Sequence, residues 1–427
     1  MADQTRRNGN MAVIATMFAL FFMIAFVTNL AGSMGVIVKE QFKASNTLSQ
    51  LGSAANFLAY LFMGIPGGLV LRRKGYKFTS LVAVAIGFVG VAVQLLSGYV
   101  GSFLVYVLGA FVAGFAMCLL NLVVNPMLNT LGGEGKKGNQ LVQIGCSLNS
   151  FGGTLAPIIL GYLIGEITPK TAVSDAAPAL MIAMVLFAVA FAVVALSRIP
   201  EPHLETAEER AARQAGQVSV LRDIATTLKF RHFAFGAICI FFDVMVECGI
   251  PNMANLYMTQ QGQVWDVGAK VAGTVVGAYW FCMMVGRVVA GAIGGRVSSK
   301  AMVTCCSLVA IALLVAAMYI PVKMVTVFGW TFPLSMGLAS LCGLCTSVMW
   351  GSIFNLASAG LGKYVPIVSG IFMAMVFGGV CLPLQGLIAD KVGILNSYWL
   401  TVALLAYLLL YAQVLSSPSS GRLRVSA

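Results

Sequence analysis

Two acidic side chains, Asp243 and Glu247, stand four residues apart in the apolar run Phe241-Phe-Asp-Val-Met-Val-Glu-Cys-Gly-Ile-Pro251. Of the chain's 14 acids, they are the only two that fall in the middle of its hydrophobic stretches, Asp175 standing at the edge of one. A carboxylate at bilayer depth is expensive unless it is paired, solvated or protonated. Four residues make about one helical turn, so both side chains project from one face. Like charges that close do not both ionise without a cation. The pair therefore has the character of a group that takes up and releases a proton or a metal ion. Gly249-Ile-Pro251 follows directly. A proline removes a helix hydrogen bond, which predicts a break there, with freed carbonyls beside the carboxylates forming a cation cage. In a competing reading Arg287, in the next span, neutralises the pair. Two acids facing one arginine leave charge unbalanced, which favours the functional reading.

Other polar side chains lie in the apolar runs and could hydrogen-bond a hydroxylated solute: Asn29, Asn121, Asn125, Gln143, Asn149, Asn252 and Asn355. Amides donate and accept at once, which suits a neutral polyol better than an ion. Trp280, beside Tyr279, offers an aromatic face to a sugar ring. The bland alternative is interhelical bridging by the amides and plain packing by the tryptophan.

These residues need a membrane to hold them. The chain has 427 residues, 59% hydrophobic and 9% charged, far below the charge of a soluble domain. Twelve apolar spans are expected near 11–38, 47–71, 78–99, 102–131, 140–165, 174–198, 232–260, 268–293, 299–320, 324–358, 365–388 and 394–416. They are long continuous runs, unlike the alternation of a β-barrel. The first is too long for a cleaved signal segment and is expected to remain as span one. The net charge of +12 is a matter of topology. With the N-terminus inside, only Lys39, Lys43, Lys170, Lys270, Lys323 and Lys391 lie outside, Arg287 lies within a span, and the remaining Lys and Arg lie inside. That asymmetry fits the positive-inside rule and excludes a nucleic-acid footprint.

The one long hydrophilic stretch divides the spans six and six. Residues 1–198 are expected to form one six-helix bundle, 199–231 a partly helical cytoplasmic linker, and 232–427 a second bundle. The two repeat each other. Gly68-Leu-Val-Leu-Arg-Arg73-Lys-Gly-Tyr-Lys77 after span two matches Gly291-Ala-Ile-Gly-Gly-Arg296-Val-Ser-Ser-Lys300 after span eight. Gly152-Gly-Thr-Leu-Ala-Pro157 in span five matches Gly378-Gly-Val-Cys-Leu-Pro383 in span eleven at nearly the same offset. Such repeats place a solute site near the midplane and imply rocking between inward- and outward-facing states. Arg72, Arg73 and Lys77 set topology and bind anionic lipid, and they are expected to latch the halves by pairing with helix-end carbonyls. The expected fold class is thus an all-α polytopic membrane protein of twelve transmembrane helices in two pseudo-symmetric bundles.

All ten cysteines fall in apolar spans, and Cys342-Gly-Leu-Cys345 has no second pair or nearby histidine, so packing is its expected role. The sequence offers no nucleophile–base pair, metal cluster or nucleotide loop, so enzymatic activity is not expected.

Taken in order along nearly the whole chain, the motifs resemble the major facilitator superfamily, and within it the fucose/galactose/glucose–proton symporter group. Phe26-Val-Thr-Asn-Leu30 is similar to the group's F-V-T-x-L-N-D, and Gly68 to Lys77 to its G-x-x-x-K-K-x-G-Y-K. Asn125-Pro126 with Leu131-Gly132 resembles A-A-N-P-x-x-x-x-L-G, and Asn149-Ser150-Phe-Gly152 resembles F-N-S-F-G. Phe242 to Glu247 resembles F-Y-V-G-A-E, and Tyr279-Trp280 with Gly286-Arg287 resembles Y-W-G-G-A-M-x-G-R. The departures are specific. The span-one Asp that carries a proton in the relatives is Gly32 here, a Glu or Gln position is Asn121, and a Gln position is Cys146. Glu247 matches a span-seven acid of the glucose/galactose members, and Asp243 replaces a Tyr.

The resemblance implies a secondary active transporter of a hexose or deoxyhexose across a bacterial inner membrane by alternating access. The coupling cation, sodium or a proton, would bind at Asp243 and Glu247, and no other cofactor is expected. An uncoupled facilitator or exporter of another small polar or cationic solute is the alternative. The expected partners are a sugar and membrane lipids, without nucleic acid, for a monomer with both termini cytoplasmic.

Overall fold

Within a bilayer an apolar run satisfies its backbone polar groups only as a helix or in a closed barrel, and this chain takes the helical route. The computed structural model describes residues 2–132, 136–202, 204–206, 220–293, 296–361 and 365–417. The helices, in chain order, begin with α1 (Ala2–Ser33), α2 (Gly35–Gln41), α3 (Asn46–Ser49), α4 (Leu51–Val100), α5 (Phe103–Leu131), α6 (Lys136–Ile164) and α7 (Ala177–Leu196). They continue with α8 (Val220–Leu228), α9 (Arg231–Met258), α10 (Gly268–Ile293) and α11 (Ser299–Tyr319). After a hairpin of β1 (Met324–Val327) and β2 (Trp330–Pro333) come α12 (Leu334–Thr346), α13 (Met349–Ser358), α14 (Val365–Met375), α15 (Leu382–Val392) and α16 (Ile394–Leu410).

Among the described residues, eleven helices are long and apolar enough to cross a membrane. One of them, α4, has 50 residues, about 75 Å of helix and twice a bilayer's thickness. It turns back at Gly75, whose φ of 87° is open to glycine alone. Spans two and three are therefore two helices that meet at this residue without a loop, and with them counted separately the described residues supply twelve apolar spans. The protein is an all-α polytopic membrane protein.

Three local expectations change. Span seven is unbroken, because α9 runs through Pro251 to Met258. A proline removes one donor, and the remaining bonds carry the helix across it. The apolar run at 324–358 opens with the hairpin rather than a helix. Its turn residues Phe328 and Gly329 both have positive φ (49° and 80°), the twist that joins adjacent antiparallel strands. Span eleven is interrupted by a 3₁₀ stretch at Val376–Cys381.

Buried apolar side chains form two clusters, one drawn almost wholly from residues 13–199 and the other from 230–412. They exchange members at their interface: Val36 packs with the second, Val244 and Leu382 with the first. Of the linker, residues 203 and 207–219 lie outside the described residues; α8 (Val220–Leu228) is the helical part of what remains. Lys77 Nζ donates to the carbonyls of Ala195 (2.7 Å) and Ser197 (3.0 Å) at the end of α7. Its repeat counterpart, Lys300, reaches Gln413 O (3.2 Å) after α16. Lys77 thus does bind helix-end carbonyls, but within one half of the chain rather than between the two. Arg72 and Arg73 are exposed at this linker face.

Candidate functional site

α9 carries the acids into the interior. Asp243 has 0% of its surface exposed, and both of its carboxylate oxygens lack a hydrogen-bond partner. Glu247, one turn on, is half-buried. Pro251 has no N–H, so the carbonyl of Glu247 lacks its usual i+4 donor. The freed acceptor beside the carboxylates is this single one, fewer than a broken helix would supply.

Arg287 of α10 lies within electrostatic range of both acids. Its Nη1 donates to Cys146 O and to Ser150 Oγ, each at 2.7 Å. The guanidinium therefore bridges α10 and α6 while sharing its field with two carboxylates. One cation facing two acids leaves the pair short of positive charge unless one acid is protonated or a second cation arrives.

α6 organises the neighbouring side chains. A Cβ on Gly153 would lie 3.0 Å from Asn29 Nδ2 and 3.1 Å from the ring of Trp280. Asn29, which also donates to Ala25 O (2.9 Å), and the buried Trp280 thus meet over a residue without a side chain. Gln143 is half-buried on the same helix, and Asn149 Nδ2 donates to Phe21 O at 2.9 Å. On the other side Asn121 Nδ2 donates to Tyr60 Oη and Met117 O, both at 3.1 Å, and Asn125 Nδ2 to Asn121 O at 3.1 Å. Tyr60 in turn lies within electrostatic range of Cys248, the neighbour of Glu247.

The expected residues Asp243, Glu247, Arg287, Asn29, Trp280 and Asn149 therefore gather around the middle of α6 and α9, with Asn121 and Asn125 linked through Tyr60. Two others go elsewhere. Asn252 Nδ2 donates to Gln50 Oε1 (2.9 Å) and Ser53 Oγ (3.5 Å), so its amide joins α9 to the start of α4. Asn355 is exposed on α13. Gln50, Ser53 and Tyr60 were not singled out from the sequence. A signal existed: Ser49, Ser53, Asn56 and Tyr60 recur at helical spacing and are all buried.

A polytopic helical fold with opposed half-chains, and with ionisable and amide side chains at their shared interface, defines a membrane transporter rather than an enzyme. Residues 16–382 match the Major Facilitator Superfamily, and the chain belongs to that family. It is 27% identical over 403 residues to the glucose/galactose transporter of Brucella abortus, covering 94% of this chain and 93% of that protein. It is 21% identical over 397 residues to the L-fucose-proton symporter of Escherichia coli, covering 89% and 87%. Among solved structures, a D-xylose-proton symporter superposes with a TM-score of 0.70 at 14% identity, covering 97% of this chain and 99% of that one. An E. coli fucose:proton symporter gives 0.69 at 17% identity, covering 96% and 100%. At these identities the superpositions speak for the fold.

Proposed function

We propose that this protein carries a monosaccharide of hexose or deoxyhexose type across a bacterial inner membrane by alternating access, driven by a sodium ion or proton at Asp243 and Glu247. The residues at 1–198 and 232–427 act as two rocking bundles joined by the 199–231 linker, with both termini in the cytoplasm and the monomer as the working unit. Asn29, Asn121, Asn125, Gln143, Asn149 and Trp280 line the sugar site. Asn252 and Asn355 stay outside that set.

One observation carries the reading. Asp243 is fully buried with both oxygens unpartnered, while the nearby arginine donates to another helix. A group so placed persists when its function needs it, because burying an unpaired carboxyl opposes folding. The names of the curated relatives supply the solute class, and the amides around α6 supply donors and acceptors suited to hydroxyls.

The test is uptake of glucose, galactose and fucose into proteoliposomes under sodium and proton gradients. Asp243→Asn and Glu247→Gln should abolish accumulation against a gradient while sparing solute exchange. Unchanged concentrative uptake in both variants removes the coupling. Loss of exchange as well assigns the acids to the solute itself, as in a carrier of a cationic molecule.

A further inference from the structure

Spans nine and ten run antiparallel and meet through sulfur. Ser352 Oγ donates to Met302 Sδ at 3.8 Å, and Cys342 Sγ donates to Ala310 O at 3.9 Å. Those two contacts set the register of α11 against α12 and α13. Between them stand Cys306 on α11 and Cys345 on the facing span. Both are free cysteines, and their side chains are hydrogen-bonded to each other. The Cys342-Gly-Leu-Cys345 spacing would pair Cys345 with Cys342, but the Cys342 thiol is turned to Ala310. The partner of Cys345 comes from another helix.

The two thiols differ in access. Cys345 is buried, whereas Cys306 is half-buried. Beside Cys306, the side chains of Cys305, Leu308 and Val309 are exposed, on a flank of the span that faces acyl chain rather than water. Cys345 lies one residue before the end of α12 at Thr346, and α13 begins only at Met349. A break in span ten therefore follows it directly. The break is packed on α10. Thr346 Oγ1 and Tyr279 Oη share a hydrogen bond of 3.0 Å, and a Cβ on Gly286 would collide with Ser347 Oγ. Tyr279 and Gly286 are the direct neighbours of Trp280 and Arg287.

We propose that Cys306 and Cys345 form a reversible disulfide, a redox modification site that responds to hydroperoxides dissolved in the bilayer. A hydroperoxide meets the more accessible Cys306 first. Its O–O bond breaks, the sulfur gains a hydroxyl as sulfenic acid, and the alcohol leaves. Cys345 then attacks that sulfur, so that the S–S bond forms, the S–O bond breaks and water leaves. Two thiols give up two electrons in all, and one hydroperoxide is reduced. Sulfurs already in hydrogen-bond contact need close only to the ~2.05 Å of a disulfide. The bond staples span nine to span ten beside the break, and the break's contacts with α10 restrain the helix that carries Trp280 and Arg287. Oxidation is therefore a brake on transport, and reduction releases it. This rests on the transporter class and not on the identity of the solute.

The full chain in liposomes is treated with cumene hydroperoxide, alkylated and digested without reductant. Peptide mapping should find the Cys306 and Cys345 peptides joined, lighter than their sum by two hydrogens, and separate again after a membrane-permeant phosphine. Cys306→Ser and Cys345→Ser should each abolish the joined species. Backbone amides at 347–350 should exchange hydrogen about threefold more slowly in the oxidised protein. Initial uptake of glucose, galactose or fucose should fall about tenfold on oxidation and recover on reduction, with Cys306→Ala insensitive. Peptides left unjoined by the peroxide, or Cys345 joined to Cys342 instead, overturn the site. Joined peptides with unchanged amide exchange, or with unchanged uptake of a sugar that the reduced protein carries, overturn the brake. Mapping and exchange need no solute, so their failure and a failure of the sugar reading are separable.

Discussion

Asn252 Nδ2 donates to Gln50 Oε1 at 2.9 Å across 202 positions of sequence, while Asn252 Oδ1 fills the space over Gly32, 2.8 Å from where a Cβ would begin. The proton-coupled group that span one resembles has an Asp at the Gly32 position. Here a neutral amide from α9 occupies that place. Asn252 thereby links the helix holding the acids both to the helix lacking one and to the start of α4.

Restoring the missing carboxylate should therefore fail unless room is made for it. Gly32→Asp should lower thermal stability by about 1–3 kcal/mol through overpacking and an unpaired charge. Asn252→Ala in the same chain should recover at least half of that loss, a coupling within the usual range for residues in contact. Apparent unfolding midpoints of the four proteins in detergent give the cycle, and strict additivity would refute the contact.

Arg287 holds α10 to α6 by two bonds and faces two acids. Ser150→Ala removes one uncharged acceptor of a charged donor and should cost about 1.5–3 kcal/mol of stability. Arg287→Met also removes the field felt by Asp243 and Glu247 and should reduce transport at least tenfold. Arg287→Lys should fall between, since an ammonium cannot reproduce a planar fork. Initial uptake rates rank the three, and a lysine variant equal to the parent would make the geometry irrelevant.

Asp243 has no partner to lose. Asp243→Asn exchanges a buried carboxyl for a neutral amide of similar shape, so its thermal midpoint at neutral pH should be unchanged or higher. Glu247→Gln instead withdraws a counter-charge from Arg287 and should lower the midpoint, for a loss of about 1 kcal/mol of stability. Scanning calorimetry of both variants without added sugar is the measurement. A large loss in Asp243→Asn would mean that Asp243 is ionised and held by a cation.

The linker-face turn offers a fourth test. Glu201 accepts from the backbone N–H groups of Tyr76 and of Lys77 (3.0 Å for Lys77), and Lys77 returns to the end of α7. Lys77→Met should cost about 0.3–1 kcal/mol, as for a cation at a helix C-terminus. Lys300→Met should cost less, having one bond of 3.2 Å. Trypsin digestion rates at the linker report the loosening, and equal effects would argue against the Lys77 geometry.

The spans were legible because lipid leaves a chain few choices: long apolar runs must be helical, and the excess of basic residues marks one side. Asp243 and Glu247 stood out for the same reason, as charge where charge is costly. The fate of individual amides was not legible. Asn29 and Asn252 look alike in sequence, and only the packing of α9 on α4 sends one to Trp280 and the other to Gln50. Cys306 gave no sign of its role, because a thiol in an apolar span is ordinary until its partner is known. Met324 to Pro333 is continuous in hydropathy with span ten, and the positive φ values at Phe328 and Gly329 that fold it into a hairpin leave no mark on apolarity. Pro251 misled in the other direction, since one missing donor does not break a helix whose other bonds persist.

At Gly75 no loop separates span two from span three, and Tyr76 and Lys77 just beyond it are held by Glu201 and by the final turn of α7. Span two cannot tilt by itself; it must swing span three with it like the two arms of a bell crank. A fluorophore at Val89, 53% exposed on the outward arm, would register each stroke of the bundle from a position no cargo ever visits.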